Sequence, residues 1–416
     1  MTSTILQANI PTNWDARPQP MQNFIPKDED EVSDIEAFEY AQEIMGESNN
    51  NSKNEKSWLV ETVMEIVSAV EKDLHVSQFK FEDTLKGAGW NAKILAKYDY
   101  DLEKAIKSEP NTILTPGSEF RDIKNIEKIW KFRKKWPEIR SILVEGCIYP
   151  LKEGQTEEVR KKDLAAMVAR GNHKSALTPE HIIVLEKIQK KEVSQGFTFP
   201  VTIDCLMKMK GAAVIPMGVH DQWSINESGE RIVKPRACHD ASFPTPSGYS
   251  VNLDHDSDLL SPCIYGQCLR RVLHDIHIKR LKYPQTIIYL IKYDFDAAYR
   301  RVHVCPAHAV KTMIIIGSKA YILNRLPFGV ESGPSKYSAV SEGIFDLAND
   351  LLEDQSWDHN KLFSPLQSDF SEKNVPDRQI NFDEAKELCV EVPFCEAKCD
   401  GYIDDAILVA LDILKM

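Results

Sequence analysis

The chain has no apolar run of bilayer length, no regular cysteine spacing and no excess of positive charge, and each absence removes a class of protein. Without an apolar stretch of some 20 residues, a membrane-spanning helix is not expected. The nine cysteines are odd in number and irregularly placed, which argues against a disulfide framework and for a reducing compartment. The start, Met-Thr-Ser-Thr-Ile-Leu-Gln, meets Asn, Pro and Asp before any basic region or apolar core can form. It does not read as a secretory leader. The expectation is a soluble, intracellular protein, cytoplasmic or nuclear, with no membrane partner. No internal repeat is apparent, and 416 residues suffice for about two or three domains.

A formal net charge of −12 disfavours a nucleic-acid partner at first sight, but the charge is unevenly spread. Residues 1–57 hold 4 basic against 11 acidic side chains, and residues 58–119 hold 7 against 11. Residues 120–340 hold 34 against 23, a surplus of +11, and residues 341–416 hold 6 against 18. The basic surplus therefore falls on the middle of the chain, where it could meet phosphates. A solvated surface of the same charge is the other reading.

Residues 1–57, rich in Asn, Asp, Glu, Pro and Ser, cannot bury enough apolar surface to order alone and read as an acidic, disordered tail. Trp58, Leu59, Thr62, Val63, Ile66, Val67 and Val70 fall at helical spacing, predicting one amphipathic helix over about 57–74 that packs into a local core. From Ile123 to Trp136, bases interleave with aromatics. Such a pattern can bind a nucleic-acid backbone and stack on bases, but it also suits a helix with aromatics inward and cations in water. A helix is expected over 179–194, between Pro179-Glu180 and Gly196. From Phe197 the texture turns to strands, with a hairpin over 222–234 around Asn226-Glu227-Ser228-Gly229-Glu230. Two more strands are expected after Tyr299, then a helix starting near Ser332 and Pro334.

Tyr402-Ile403-Asp404-Asp405, between Gly401 and the run Ala406–Leu411, puts two adjacent carboxylates in a strand-turn-strand pattern. Such a pair is costly unless a cation, usually a divalent metal, sits between them. Ile288-Tyr289-Leu290-Ile291-Lys292-Tyr293-Asp294 is a second β-favouring run, and it ends in a third acid. Asp296 shares the face of Asp294 only if the strand continues. Cys389, Cys395 and Cys399 lack a Cys-x-x-Cys pair and a following His, so zinc is not expected.

With Tyr299 five residues after Asp294, Leu326-Pro327-Phe328-Gly329 and Tyr-Ile-Asp-Asp in order, residues 170–416 resemble reverse transcriptases, most closely those of retrotransposons. The resemblance implies an α+β fingers-and-palm architecture, with an antiparallel palm sheet backed by helices. Ahead of it, residues 58–118 read as a small helical region and 119–196 as a basic helical connection; by the resemblance, 197–282 would be fingers and 283–345 the first part of the palm. An acidic insertion, 346–398, would precede the palm's Asp-Asp hairpin at 399–416. Chemically it implies RNA-directed DNA polymerisation, in which two Mg²⁺ or Mn²⁺ ions promote attack of a primer 3′-hydroxyl on a dNTP. Asp294, Asp404, Asp405 and the Phe295 carbonyl would hold the ions. Arg236 would meet the triphosphate, Tyr299 would exclude a 2′-hydroxyl, and Phe328 and Gly329 would flank the nucleotide. Arg231, Lys234 and Tyr402 are secondary candidates. Partners would be an RNA or DNA template with its primer. The chain departs from the family in the long acidic stretch after 346 and in ending at Met416, with no thumb or ribonuclease H region expected. A truncated, non-catalytic derivative that binds nucleic acid or a protein is the alternative.

Overall fold

The structure is a computed structural model that describes residues 56–68, 72–152, 154–226, 228–260, 263–284, 286–353, 397–403 and 405–411. The expected acidic tail, apart from its last two residues, most of the acidic insertion, Cys389, Cys395 and Asp404 all lie outside these residues. The described residues form a mixed α+β structure with eleven α-helices and three small antiparallel sheets.

Helix α1, Lys56–Ser68, buries Val60, Thr62, Val63 and Ile66, as its period requires. It is shorter than the predicted 57–74. Residues 72–77 leave the helix because tertiary partners take their polar groups: the His75 amide donates to the Asn111 carbonyl and Lys72 Nζ to that of Gly117. Helices α2 (Leu85–Lys97) and α3 (Leu102–Lys107) begin at Thr84 and Asp101, whose side chains accept amide hydrogens of the first turn.

The basic-aromatic stretch divides into α4 (Ile123–Trp130) and α5 (Trp136–Glu145). Trp130 and Trp136 are buried, while Arg133 and Lys135 form ion pairs with Asp350 and Glu342. Its two tryptophans therefore serve the core and two of its cations pair with acids of the chain, while Phe132 stays 76 % exposed beneath Lys131. Helix α6 is Glu157–Arg170 and α7 is Pro179–Ser194, the span expected from Pro179 and Gly196. Thr178 caps α7 by accepting the His181 amide hydrogen. Leu185, Gln189 and Val193 form its buried stripe.

Strands β1 (Thr198–Thr202), β5 (Ile314–Ile316) and β6 (Lys319–Leu323) make the innermost sheet, in the order β1-β6-β5. Phe199, Val201, Ala320, Tyr321, Ile322 and Leu323 are at most 1 % exposed. Strands buried on both faces need no polar alternation, and these have little. Helix α8, Ile203–Lys208, follows β1 directly. Strands β2 (Met217–Ile225) and β3 (Arg231–His239) form the expected hairpin, longer at both ends, in register from Met217–His239 to Ile225–Arg231. Only the base of β2 is buried. The hairpin thus projects from the core.

Helix α9 (Cys268–Lys282) leads into β4 (Ile288–Asp294). The short α10 (Pro306–Ala309) and the long α11 (Gly333–Glu353) follow, α11 starting where Ser332 and Pro334 predict. Strands β7 (Ala397–Tyr402) and β8 (Asp405–Leu411) complete the third sheet, ordered β4-β8-β7. Cys268 and Val272 of α9 pack on Val409, while Phe345 of α11 meets Gly401. Because alternate strand residues face opposite ways, these contacts place the two helices on opposite faces of the sheet. No described helix is long and apolar enough to cross a membrane.

Candidate active site

Antiparallel pairing of β4 with β8 sets Asp294 directly opposite Asp405. Such partners share a sheet face, with Cβ atoms roughly 5 Å apart. Two of the three predicted acids, Asp294 and Asp405, thereby stand opposite one another at one end of the sheet. Asp294 is exposed and Asp405 half-buried. Lys292, two residues before Asp294 and so on its face, places Nζ 2.8 Å from Asp405 Oδ2. An ammonium thus already offsets part of the acids' repulsion.

Tyr402 pairs with Asp405, so β7 and β8 are joined by a two-residue turn. The right-handed twist of strands demands positive φ in such a turn, and Ile403 supplies it at 59°. A β-branched residue pays roughly 1–2 kcal/mol there, a strain the flanking strands must hold. Asp404 lies outside the described residues. Among the described residues no group of three or more His, Cys, Asp or Glu side chains converges as a metal site would.

Three devices fix the hairpin. A Cβ on Gly401 would lie 1.6 Å from the Phe345 ring, so only glycine lets β7 approach α11 this closely. The amide of Asn349 donates from Nδ2 to the Cys399 carbonyl and accepts its N–H at Oδ1, 2.8 and 2.7 Å, covering the exposed edge of β7. From the other face, Arg271 of α9 donates Nε and Nη2 to the two oxygens of Asp400, both at 2.6 Å. Tyr402 meets Tyr265 edge to face, with centroids 5.5 Å apart.

Beyond Asp294 the strand stops. Phe295 stacks on Phe345 at 6.0 Å, and Ala297 turns through the left-handed region. Asp296 therefore does not share the face of Asp294. Its carboxylate accepts from Arg301 at 3.0 Å. Tyr299 is 5 % exposed, stacked between Phe328 (centroids 4.8 Å apart) and Tyr337 (4.9 Å). Phe328, 53 % exposed, is the ring of this stack that meets solvent.

Gly329 has φ 90°, and a Cβ there would come 2.1 Å from the His239 carbonyl oxygen. The loop thus leans on the end of β3. Arg300 donates Nη1 to the Arg325 and Leu326 carbonyls and pairs with Glu192 at 3.0 Å, holding the approach to the loop. On β3, Arg236 is exposed and donates Nε to Gln222 at 3.0 Å. Lys234 is exposed too, and Arg231 lies over the Trp223 ring at 4.3 Å. Arg236 and Lys234 point to one face of the hairpin and Arg231 to the other, since strand residues alternate.

Sequence reasoning missed the bracket around this loop. Asn252 and His255, in the irregular segment between β3 and α9, hold Gly329, Glu331 and Ser332 by side-chain hydrogen bonds. Polar residues in an irregular segment give no periodic signal, and only tertiary contact shows their use. Arg271 and Asn349, on helices α9 and α11, and Arg300 were missed because local spacing does not show a polar side chain's partner across the fold.

No protein-family model matches this chain, and no protein of curated function matches it in sequence. A solved structure similar to it is the prototype foamy virus protease-reverse transcriptase, a selenomethionine-labelled CSH mutant. It is 16 % identical, and the match covers 63 % of this chain and 22 % of that one, with a TM-score of 0.27. So low a score does not establish a shared fold.

Proposed function

We propose that the chain is a reverse-transcriptase segment of the retrotransposon type, catalysing transfer of a nucleotide from a dNTP to a primer 3′-hydroxyl. The observation that carries this reading is the register pairing of Asp294 with Asp405 beside the strained Ile403 turn. A surface turn that merely carried acids would need neither.

The donor set suits a hard divalent cation: two carboxylates share a face, and a cation, Lys292, already sits on one of them. Asp294, Asp405 and, from the sequence motif, Asp404 and the Phe295 carbonyl would hold Mg²⁺ or Mn²⁺. Bound there, such ions would lower the cost of the hydroxyl nucleophile and neutralise the leaving pyrophosphate. The protein's own groups bind and orient. Arg236, with Lys234 on the same strand face, meets triphosphate oxygens through a planar fork that suits phosphate. In this reading the loop at Phe328 and Gly329 would form an apolar wall that flanks the nucleotide. Tyr299, behind Phe328, stiffens that wall and limits its depth, which disfavours a 2′-hydroxyl.

The test is Mg²⁺-dependent primer extension by the purified chain, alone and with a thumb segment supplied in trans. Asp294→Asn and Asp405→Asn should each reduce incorporation at least about a hundred-fold, with primer-template affinity nearly unchanged. Salt-sensitive binding by an unmutated chain that extends no primer, even with a thumb, would make it a non-catalytic nucleic-acid binder.

A further inference from the structure

Asn252 lies between the end of β3 and the Phe328–Gly329 loop, and all of its side-chain hydrogen-bonding atoms are engaged. Its Nδ2 donates to the Gly329 carbonyl at 2.9 Å and to Ser242 Oγ at 2.9 Å, while Oδ1 accepts the Glu331 amide hydrogen at 2.9 Å. Its own backbone amide donates to the Ala241 carbonyl. Asn252 therefore ties the segment that follows the Arg236 strand, chiefly through its backbone amide, to the loop that presents Phe328, through its side chain.

The surroundings leave the loop few alternatives. Gly329 already abuts the His239 carbonyl so closely that no other residue fits. Three residues further along the bracket, His255 Nε2 meets Ser332 Oγ at 2.8 Å and His255 Nδ1 meets the Val251 carbonyl at 2.7 Å. The segment from Val251 to His255 thus fixes both the glycine and the residue that opens α11. The side-chain partners of Asn252 and His255 are Ser242, Gly329, Glu331, Val251 and Ser332, so an effect on chemistry would pass through the loop.

We propose that Asn252 is a positioning residue that sets the Phe328–Gly329 wall against the Arg236 strand and so governs nucleotide affinity rather than the chemical step. The proposal rests on the polymerase reading for its substrate, and its structural half can be tested without activity. The amide's two ends have different duties: the nitrogen holds Gly329, the oxygen holds Glu331. Asn252→Asp keeps size and the oxygen acceptor but sets a second oxygen against the Gly329 carbonyl. Asn252→Ala removes both ends, and Ser242→Ala removes only a side bond.

Two measurements on the full chain decide it. In amide hydrogen exchange, Asn252→Ala should speed exchange at Glu331 about ten-fold, while Asn252→Asp leaves that amide protected. In primer extension, both Asn252 variants should raise KM for dNTP about ten-fold with kcat within about three-fold, and Ser242→Ala should stay within about two-fold. Unchanged exchange at Glu331 in Asn252→Ala would overturn the clamp. So would an Asn252→Asp enzyme with unaltered KM. If Asn252→Ala unfolds, exchange rises everywhere and the Asp and Ser242 variants decide alone. If the unmutated chain extends no primer, the polymerase reading fails and the governing of nucleotide affinity with it, while Glu331 exchange still decides whether Asn252 fixes the loop.

Discussion

The two three-stranded sheets are held together by different means. In β1-β6-β5 the residues are apolar on both faces and belong to the main core, beside Leu206, Met209 and Met313. In β4-β8-β7 the apolar contribution is small, a cluster of Cys268, Val272 and Val409, and Leu290 and Tyr293 remain exposed. What fixes the second sheet is a set of directional contacts: Arg271 on Asp400, Asn349 on the Cys399 backbone and Gly401 against Phe345. The contrast has a physical basis. Non-directional burial gives stability but tolerates small shifts, whereas hydrogen bonds and a close backbone approach fix position. Under the proposed function, carboxylates that hold a cation need position and an open surface, which a fully buried sheet would deny them.

Substitutions can break this contrast. Phe199→Ala in the buried sheet should lower the stability of the whole chain by about 3–5 kcal/mol, read as a denaturant midpoint. A loss below about 1 kcal/mol would mean that the core is not centred on this sheet.

The main core also carries a pH dependence. His308 Nδ1 accepts the Tyr149 amide hydrogen at 2.8 Å, a bond that only the neutral ring can make. Burial, with Lys311 and His255 adding to it, pushes His308 from its ordinary 6.5 down to about 4. A lowered folded-state value means that the unfolded chain binds the proton first. Stability from this group is therefore full above about pH 6.5 and falls as pH drops toward about 4, by on the order of 2–3 kcal/mol. Equilibrium unfolding of His308→Gln should be flatter across that window than that of the unmutated chain.

Effects in the second sheet should be smaller and local. Gly401→Ala must move β7 or Phe345, at about 1–3 kcal/mol. Amide exchange should rise along β7 and β8 while β1 and β6 keep their protection. Arg271→Ala should cost about 1–2 kcal/mol, since the charged pair with Asp400 is only partly shielded from water. Primer extension should fall in Arg271→Ala by more than the stability loss explains, because the Asp-Asp turn loses one of its supports. Equal loss of protection in both sheets would erase the distinction between them.

Long periodic segments were legible in the sequence. The Pro179 helix, the β2–β3 hairpin, the strand ending at Asp294 and the helix after Ser332 follow from apolar spacing and from Pro, Gly and capping residues. The α1 helix was overextended because spacing alone cannot weigh tertiary partners for Lys72 and His75. For the basic-aromatic stretch, spacing alone could not show that Trp130 and Trp136 are buried or that Asp350 and Glu342 pair with two of its cations. At the candidate site the acids and Gly329 were visible as motifs, and their supports were not.

By itself, then, the sequence determined which segments become strands and helices, and which acids stand at strand ends, because those depend on local period and on backbone freedom at single residues. Only the tertiary structure decided that Asp294 faces Asp405, that Tyr299 lies buried behind Phe328, and that Asn252 binds the glycine loop. Register, burial and side-chain bonding join residues far apart in the chain. Their energies arise only when the segments meet, so no local pattern can encode them.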